Sequence, residues 1–106
     1  MHWTVPFAHW VLPSAAYLEK DGTFVNCHGR VQRIGRVFTP PEESREDWRI
    51  LLELSKKLGL VIDWRRPEEI FQGLTKALAS FQGLSYETIG AQGVDIAIAK
   101  PEAGAT

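Results

Sequence analysis

Apolar and polar positions alternate with two different periods along this chain, and long stretches follow neither. From Ser44 to Gly59 the apolar positions Trp48, Ile50, Leu51, Leu52, Leu54 and Leu58 follow a helical period. Glu42, Glu43, Glu46 and Asp47 crowd one end of this segment and Lys56 and Lys57 the other, the charge order that the helix dipole favours. Ser44 stands at the N-cap position with Asp47 three residues on, and Gly59 follows the last turn as a C′ residue. The pattern predicts a helix over 45–58.

A second helix is predicted over 67–80. Pro67 fits its first position and Glu68 and Glu69 its first turn, while Ile70, Phe71, Leu74, Ala77 and Leu78 make an ordinary stripe. The two helices differ in one respect. The apolar arc of the first spans roughly 200°, against the ~100° or slightly more that a surface helix usually needs. Such a helix is packed on two sides, which is more burial than 106 residues readily supply.

Elsewhere the period is short or broken. Val11-Leu12 reads as the end of a buried strand closed by Pro13, which has no N–H for a ladder. Ser14 to Lys20 suits a turn or short helix. Asp21-Gly22 is a turn signal, Thr23-Phe24-Val25 a strand, and His28-Gly29 a second break. Over Arg30–Phe38 the apolar Val31, Ile34 and Val37 recur every third residue, which suggests irregular extended chain or a bulged strand. Pro40-Pro41 ends it. Leu60-Val61-Ile62, Leu84–Ile89 and Val94–Ile98 are brief apolar runs. The fold class is therefore α/β: a partial domain with short strands, an irregular N-terminal half and two main helices. Residues 1–10, with three aromatics and two histidines, are atypical; 11–98 form the body; 99–106 read as a flexible tail.

Composition narrows the function. Twelve Lys and Arg against thirteen Asp and Glu leave a net charge of −1, without the basic field that nucleic acid requires. A single Cys excludes an internal disulfide framework. No run reaches the ~18 apolar residues of a membrane span, and the start lacks secretory-signal character, so an intracellular setting is expected.

Candidate chemistry is sparse. Cys27-His28, with His2 and His9 upstream, offers a thiol and imidazoles, but at no recognised metal spacing. Glu19-Lys20-Asp21 offers carboxylates beside a turn, where solvated charge is the commoner role. Arg30, Arg33 and Arg36 can take a phosphate or pair with nearby carboxylates. Trp48 and Trp64 suit packing better than stacking platforms. No phosphate-cradling Gly loop, Ser/His/Asp set or iron–sulfur Cys pattern is present. No catalytic and no metal residue is assigned.

Three stretches carry a resemblance: Val11-Leu12-Pro13-Ser14-Ala15-Ala16-Tyr17, Glu19-Lys20-Asp21-Gly22-Thr23-Phe24-Val25-Asn26, and Gly29-Arg30-Val31-Gln32-Arg33. They resemble the late core of the molybdopterin oxidoreductase superfamily. Thr39-Pro40-Pro41 and Ser44 through Leu51 are similar to the branch containing the large iron–sulfur subunit of NADH-quinone oxidoreductase, respiratory complex I. Cys27-His28 departs from the polar pair usual in the family. The resemblance implies a C-terminal scaffold piece of the complex I peripheral arm, cytoplasmic and held at the inner membrane through its partner subunits. No cofactor would sit in this chain; iron–sulfur clusters would lie in the partner. The wide apolar arc of the first helix adds the expectation that the isolated piece self-associates or exposes dye-binding apolar surface. The alternative is a piece of a molybdopterin enzyme such as a formate dehydrogenase, whose Glu19–Arg33 loop lines the pterin, with Glu19, Asn26, Arg30 and Arg33 as its contacts. A stand-alone binding module is the third reading.

Overall fold

The computed structural model describes residues 2–97. The expected tail at 99–106 lies outside them, as does Ile98. The elements run β1 (Gly22–Val25), β2 (Arg30–Ile34), α1 (Asp47–Lys57), α2 (Pro67–Ala77), α3 (Tyr86–Ile89) and β3 (Val94–Asp95), with 3-10 turns at Val5–Phe7, Tyr17–Glu19 and Ala79–Phe81. They divide between two compact units, Met1–Lys20 with Arg36–Asp63, and Asp21–Gly35 with Trp64–Thr106.

The second unit holds a three-stranded antiparallel sheet in the order β1-β2-β3. Phe24 faces Gln32 and Val25 faces Val31 across the hairpin, and Val31 faces Val94 on the other side. The strand at Thr23-Phe24-Val25 and the break at His28-Gly29 are found, whereas Asp21-Gly22 makes no turn, because Gly22 already opens β1 in register with Ile34. Of the stretch 30–38, residues 30–34 form a regular strand, because pairing on both sides overrides the three-residue spacing of its apolar positions, and 35–38 lie in no strand or helix. Val31, Phe71 and Ile89 form a buried core, flanked by Leu74, Phe81, Leu84, Tyr86 and Ile96. The rings of Phe71 and Phe81 meet edge-on at 6.2 Å.

α2 begins at Pro67 as expected. The carboxylate of Glu69 reaches back to accept from the backbone N–H of Arg65 (2.6 Å) and Arg66 (3.1 Å), satisfying donors that the helix start exposes. The helix ends at Ala77, three residues early, where the extended backbone of Leu78 turns the chain into the 3-10 turn Ala79–Phe81.

The first unit is organised around the start of α1. Residues 13–15 run beside Arg45: Arg45 N–H donates to Pro13 O (3.2 Å) and Ala15 N–H to Arg45 O (2.8 Å). The resulting parallel bridge between Ser14 and Arg45 holds residue 45 extended, so the helix starts at Asp47 and Ser44 is not its cap. No strand forms at Val11-Leu12, and both side chains are exposed. The C-terminus of α1 follows expectation. Gly59 takes φ +85, and Gly59 and Leu60 N–H donate to Lys56 O and Ser55 O, a Schellman closure.

α1 contains no buried residue. Leu51 is 62% exposed, Leu54 49% and Leu58 72%, and the run beyond it continues to Val61 at 98%. Trp48, Ile50 and Leu52 are half-buried. The first unit therefore encloses Ala15 and the carboxylate residue Glu46, but no cluster of large apolar side chains.

Candidate functional site

The residues proposed as cofactor contacts gather mainly at the β1–β2 hairpin, whose tip is the turn Asn26–Gly29. Asn26 shapes that turn. Its Oδ1 accepts from the backbone N–H of His28 and of Arg30, both at 2.9 Å, an Asx-type arrangement that closes the chain without a secondary-structure ladder. Gly29 at φ +86 completes the reversal, and its carbonyl accepts from Ile96 N–H at 2.8 Å. The Asn26 side-chain NH2 makes no hydrogen bond among the described residues, and the residue is exposed.

Arg30 is committed elsewhere. Its Nη1 donates to Asp95 (2.9 Å), while Nε and Nη2 donate to Gln92 O (3.1 and 2.6 Å) and Nη2 also to Gly93 O (3.4 Å). A guanidinium fork so occupied cannot turn a paired donor face to a phosphate. Arg30 is thus a tie between β2 and the loop before β3, not a ligand contact.

Arg33 is placed differently. Its guanidinium carbon lies 4.5 Å from the centre of the Tyr86 ring, a cation–π stack, in an exposed residue. The Tyr86 hydroxyl is buried and has no hydrogen-bond partner among the described residues. Burial pushes this phenol upward in pKa; the nearby Arg33 charge opposes that, and Glu68 and Asp21 add to it.

Glu19 belongs to the other unit and has a local duty. Its carboxylate accepts from the Ala16 backbone N–H at 2.8 Å, closing the turn Tyr17–Glu19. The third arginine of the series, Arg36, pairs with Glu46 at 3.4 Å. Arg30, Arg33 and Arg36 thus serve three separate ends.

Two features escape a reading of the sequence. Glu46, only 3% exposed, lies between Arg36 and Arg49, the latter at 2.9 Å. Asp47 accepts from Ser14 Oγ and, at 2.5 Å, from Lys20 Nζ. These bonds, with Lys20 contributing most, hold the Asp47 carboxyl below the ordinary carboxylate range. Both partners are distant in sequence, and adjacent acids before a helix signal only dipole complementarity. The thiol of Cys27 is exposed and unpaired. Among the described residues no cluster of His, Cys, Asp and Glu is arranged to hold a metal, and no helix is long and apolar enough to cross a membrane.

Comparison with known proteins bears on the same segment. A family model described as Molybdopterin oxidoreductase matches residues 1–57. The probable oxidoreductase YjgC of Bacillus subtilis is 40% identical over 86 residues, which is 81% of this chain and 9% of that protein. The F420-dependent formate dehydrogenase subunit alpha of Methanocaldococcus jannaschii is 38% identical over 93 residues, 86% of this chain and 14% of that protein. A putative formate dehydrogenase of Staphylococcus aureus is 38% identical over 86 residues, 81% of this chain and 9% of that protein. The chain thus spans a small fraction of the length of these relatives. They overturn the expected assignment to the large iron–sulfur subunit of complex I and its NADH-to-quinone scaffold role, since the names they carry are those of formate dehydrogenases and an oxidoreductase. The Pro-Pro and acidic helix start that resemble the complex I branch are a generic helix-initiation pattern, and patterns of that kind do not separate branches of a family.

Proposed function

The chain belongs to the molybdopterin oxidoreductase family, and from that membership we propose that it forms part of the alpha subunit of a formate-dehydrogenase-type enzyme. The observation that carries this reading is the alignment of more than four-fifths of the chain with proteins named as formate dehydrogenases. Three of the relatives named as formate dehydrogenases are alpha subunits by name, which supports a setting among further subunits of an oxidoreductase assembly.

The hairpin is the part of this chain suited to a molybdopterin group. A pterin and its phosphates present ring nitrogens, carbonyls and anionic oxygens, so they call for hydrogen-bond donors on a fixed backbone. The Asn26 side-chain NH2 and the Arg33 guanidinium supply such donors. Arg30 does not contact the group in this reading; it ties the strand that carries them to the β3 loop. Glu19 is left with its turn-closing role. When bound, the group supplies two-electron redox chemistry at molybdenum. The residues of this chain bind and orient it.

The test is purification of the assembly containing this chain from molybdate-grown cells. Formate-dependent reduction of a viologen dye together with stoichiometric molybdenum is the expected result. An assembly that reduces quinone with NADH and holds no molybdenum overturns the proposal. Within an active assembly, Asn26→Ala and Arg33→Ala should lower molybdenum content several-fold.

A further inference from the structure

Leu51 and Leu54 on α1 and Leu58 at its C-cap stand at i, i+3 and i+7, so they share one face within an arc of about 60°. Beside them a groove of about 340 Å³ is lined by Leu12, Pro13, Ile50 and Leu54, with Glu43, Arg45, Glu53 and Lys57 on its rim. Arg45 and Glu53 pair across that rim at 2.9 Å. Contiguous exposed apolar surface of this kind marks an interaction face, unlike the single exposed leucines common on any protein.

We infer that this face of α1 is a docking surface for an apolar element of the larger oxidoreductase body to which the chain's relatives belong. Two observations select that occupant. The alignments with formate dehydrogenases cover 81–86% of this chain but 9–14% of those proteins, so a body several times larger accompanies this segment in each of them. A second copy of the chain is poorly matched in charge. Antiparallel helices would bring Lys56 and Lys57 of one copy to Glu46 and Asp47 of the other. Those carboxylates are already partnered within the chain, Glu46 by the charges of Arg36 and Arg49, and Asp47 by the Lys20 charge with a hydrogen bond from Ser14. The pairing would gain apolar burial without electrostatic complement. The inference rests on family membership and is independent of which substrate the enzyme oxidises.

The experiment is thiol labelling with a maleimide in a Cys27→Ser background, comparing the full chain alone with the assembled oxidoreductase purified from cells. Leu58→Cys is the probe, and Val61→Cys, outside any helix and almost fully exposed, is the second should the first disturb α1. Labelling of the urea-unfolded protein sets the reference rate. In the isolated chain both probes should react within a few-fold of that rate. In the assembly Leu58→Cys should react at least tenfold more slowly. Equal rates in chain and assembly overturn the inference. So does protection accompanied by a disulfide between two Leu58→Cys chains, which identifies a second copy as the occupant, or protection that arises only on adding phosphatidylglycerol vesicles. Protection in an assembly without formate activity leaves the docking face standing and removes formate as the substrate.

Discussion

Arg30 and Asp95 face each other across the β2–β3 pair, with Arg30 Nη1 2.9 Å from Asp95 Oδ1. The ion pair is the smaller part of what Arg30 does. The Asp95 side chain is 73% exposed, and pairs so solvated contribute little. The bonds from Nε and Nη2 to Gln92 O and Gly93 O are different, since they satisfy carbonyls of a loop that no strand pairs. Arg30→Ala should cost about 1–2 kcal/mol and Asp95→Ala less than about 0.5 kcal/mol, read from urea denaturation. Arg30→Lys should behave like the alanine variant, because an ammonium cannot reproduce a fork that reaches two carbonyls and a carboxylate. Equal losses for Arg30→Ala and Asp95→Ala would show that the salt bridge is the main term.

Gly93 sits inside that same tie. Its φ is +80, and a Cβ there would lie 2.6 Å from Val31 O and 2.8 Å from Gln32 Cγ. Both the backbone conformation and the space exclude a side chain, and the obstructing atom belongs to the backbone of the central strand. Gly93→Ala should therefore destabilise by more than about 1 kcal/mol. Gly35, with open space around it, should accept alanine within about 0.5 kcal/mol. Comparison of the two melting transitions checks the contrast.

Local signals are legible in the sequence and distant pairings are not. The strand at Thr23-Phe24-Val25 with the break at His28-Gly29, the first turn of α2 at Pro67 and the Gly59 closure of α1 each depend on residues within a few positions. Sequence pattern alone starts α1 two residues early, because residues 13–15, some 30 positions upstream, hold Arg45 extended. For the same reason Arg30, Arg33 and Arg36 read as one series, although Asp95, Tyr86 and Glu46 take them apart. Of the four candidate contacts, Asn26 and Arg33 keep donors to offer, whereas Arg30 is consumed by partners more than sixty residues away.

The Asp47 carboxylate makes the first unit sensitive to acid. Its pKa is held below the ordinary 3.8 chiefly by Lys20, with Ser14 adding to the effect. A depressed carboxylate stabilises the folded state above its unfolded pKa, and that contribution disappears as pH falls through the folded value. Lys20→Met should lower stability at pH 7 by less than about 1 kcal/mol, since the Asp47 side chain is half exposed and screened. The gap between variant and parent should narrow as pH falls below the ordinary carboxylate range. A urea midpoint measured at intervals from pH 7 into acid follows it; a gap that stays constant with pH would assign the loss to packing of the Lys20 stem instead.

Cys27 stands at the exposed hairpin tip beside the proposed cofactor contacts. A lone exposed thiol is not by itself an activated nucleophile. Cys27→Ser should leave both molybdenum content and dye reduction of the assembled enzyme within twofold of the parent. A larger drop with the assembly intact would make the thiol part of the site.

The two units should respond to core truncation in opposite ways. Phe71 is 4% exposed and packs on Val31, Ile89, Phe81 and Tyr86, so Phe71→Ala removes a ring from an enclosed core and should cost about 3–5 kcal/mol. Leu51 is a similar apolar side chain, but truncating it removes surface that water already reaches. In the chain alone, Leu51→Ala should change stability by no more than about 0.5 kcal/mol. In the assembled oxidoreductase the same substitution should cost about 2 kcal/mol or more, because a leucine seated against a partner loses the burial that the isolated chain never had. The measurement is the difference between two differences: denaturation of the chain with and without the substitution, then dissociation of the assembly with and without it. If Leu51→Ala is as harmless in the assembly as in the chain, α1 presents that face to water in both, and its wide apolar arc has no packing explanation.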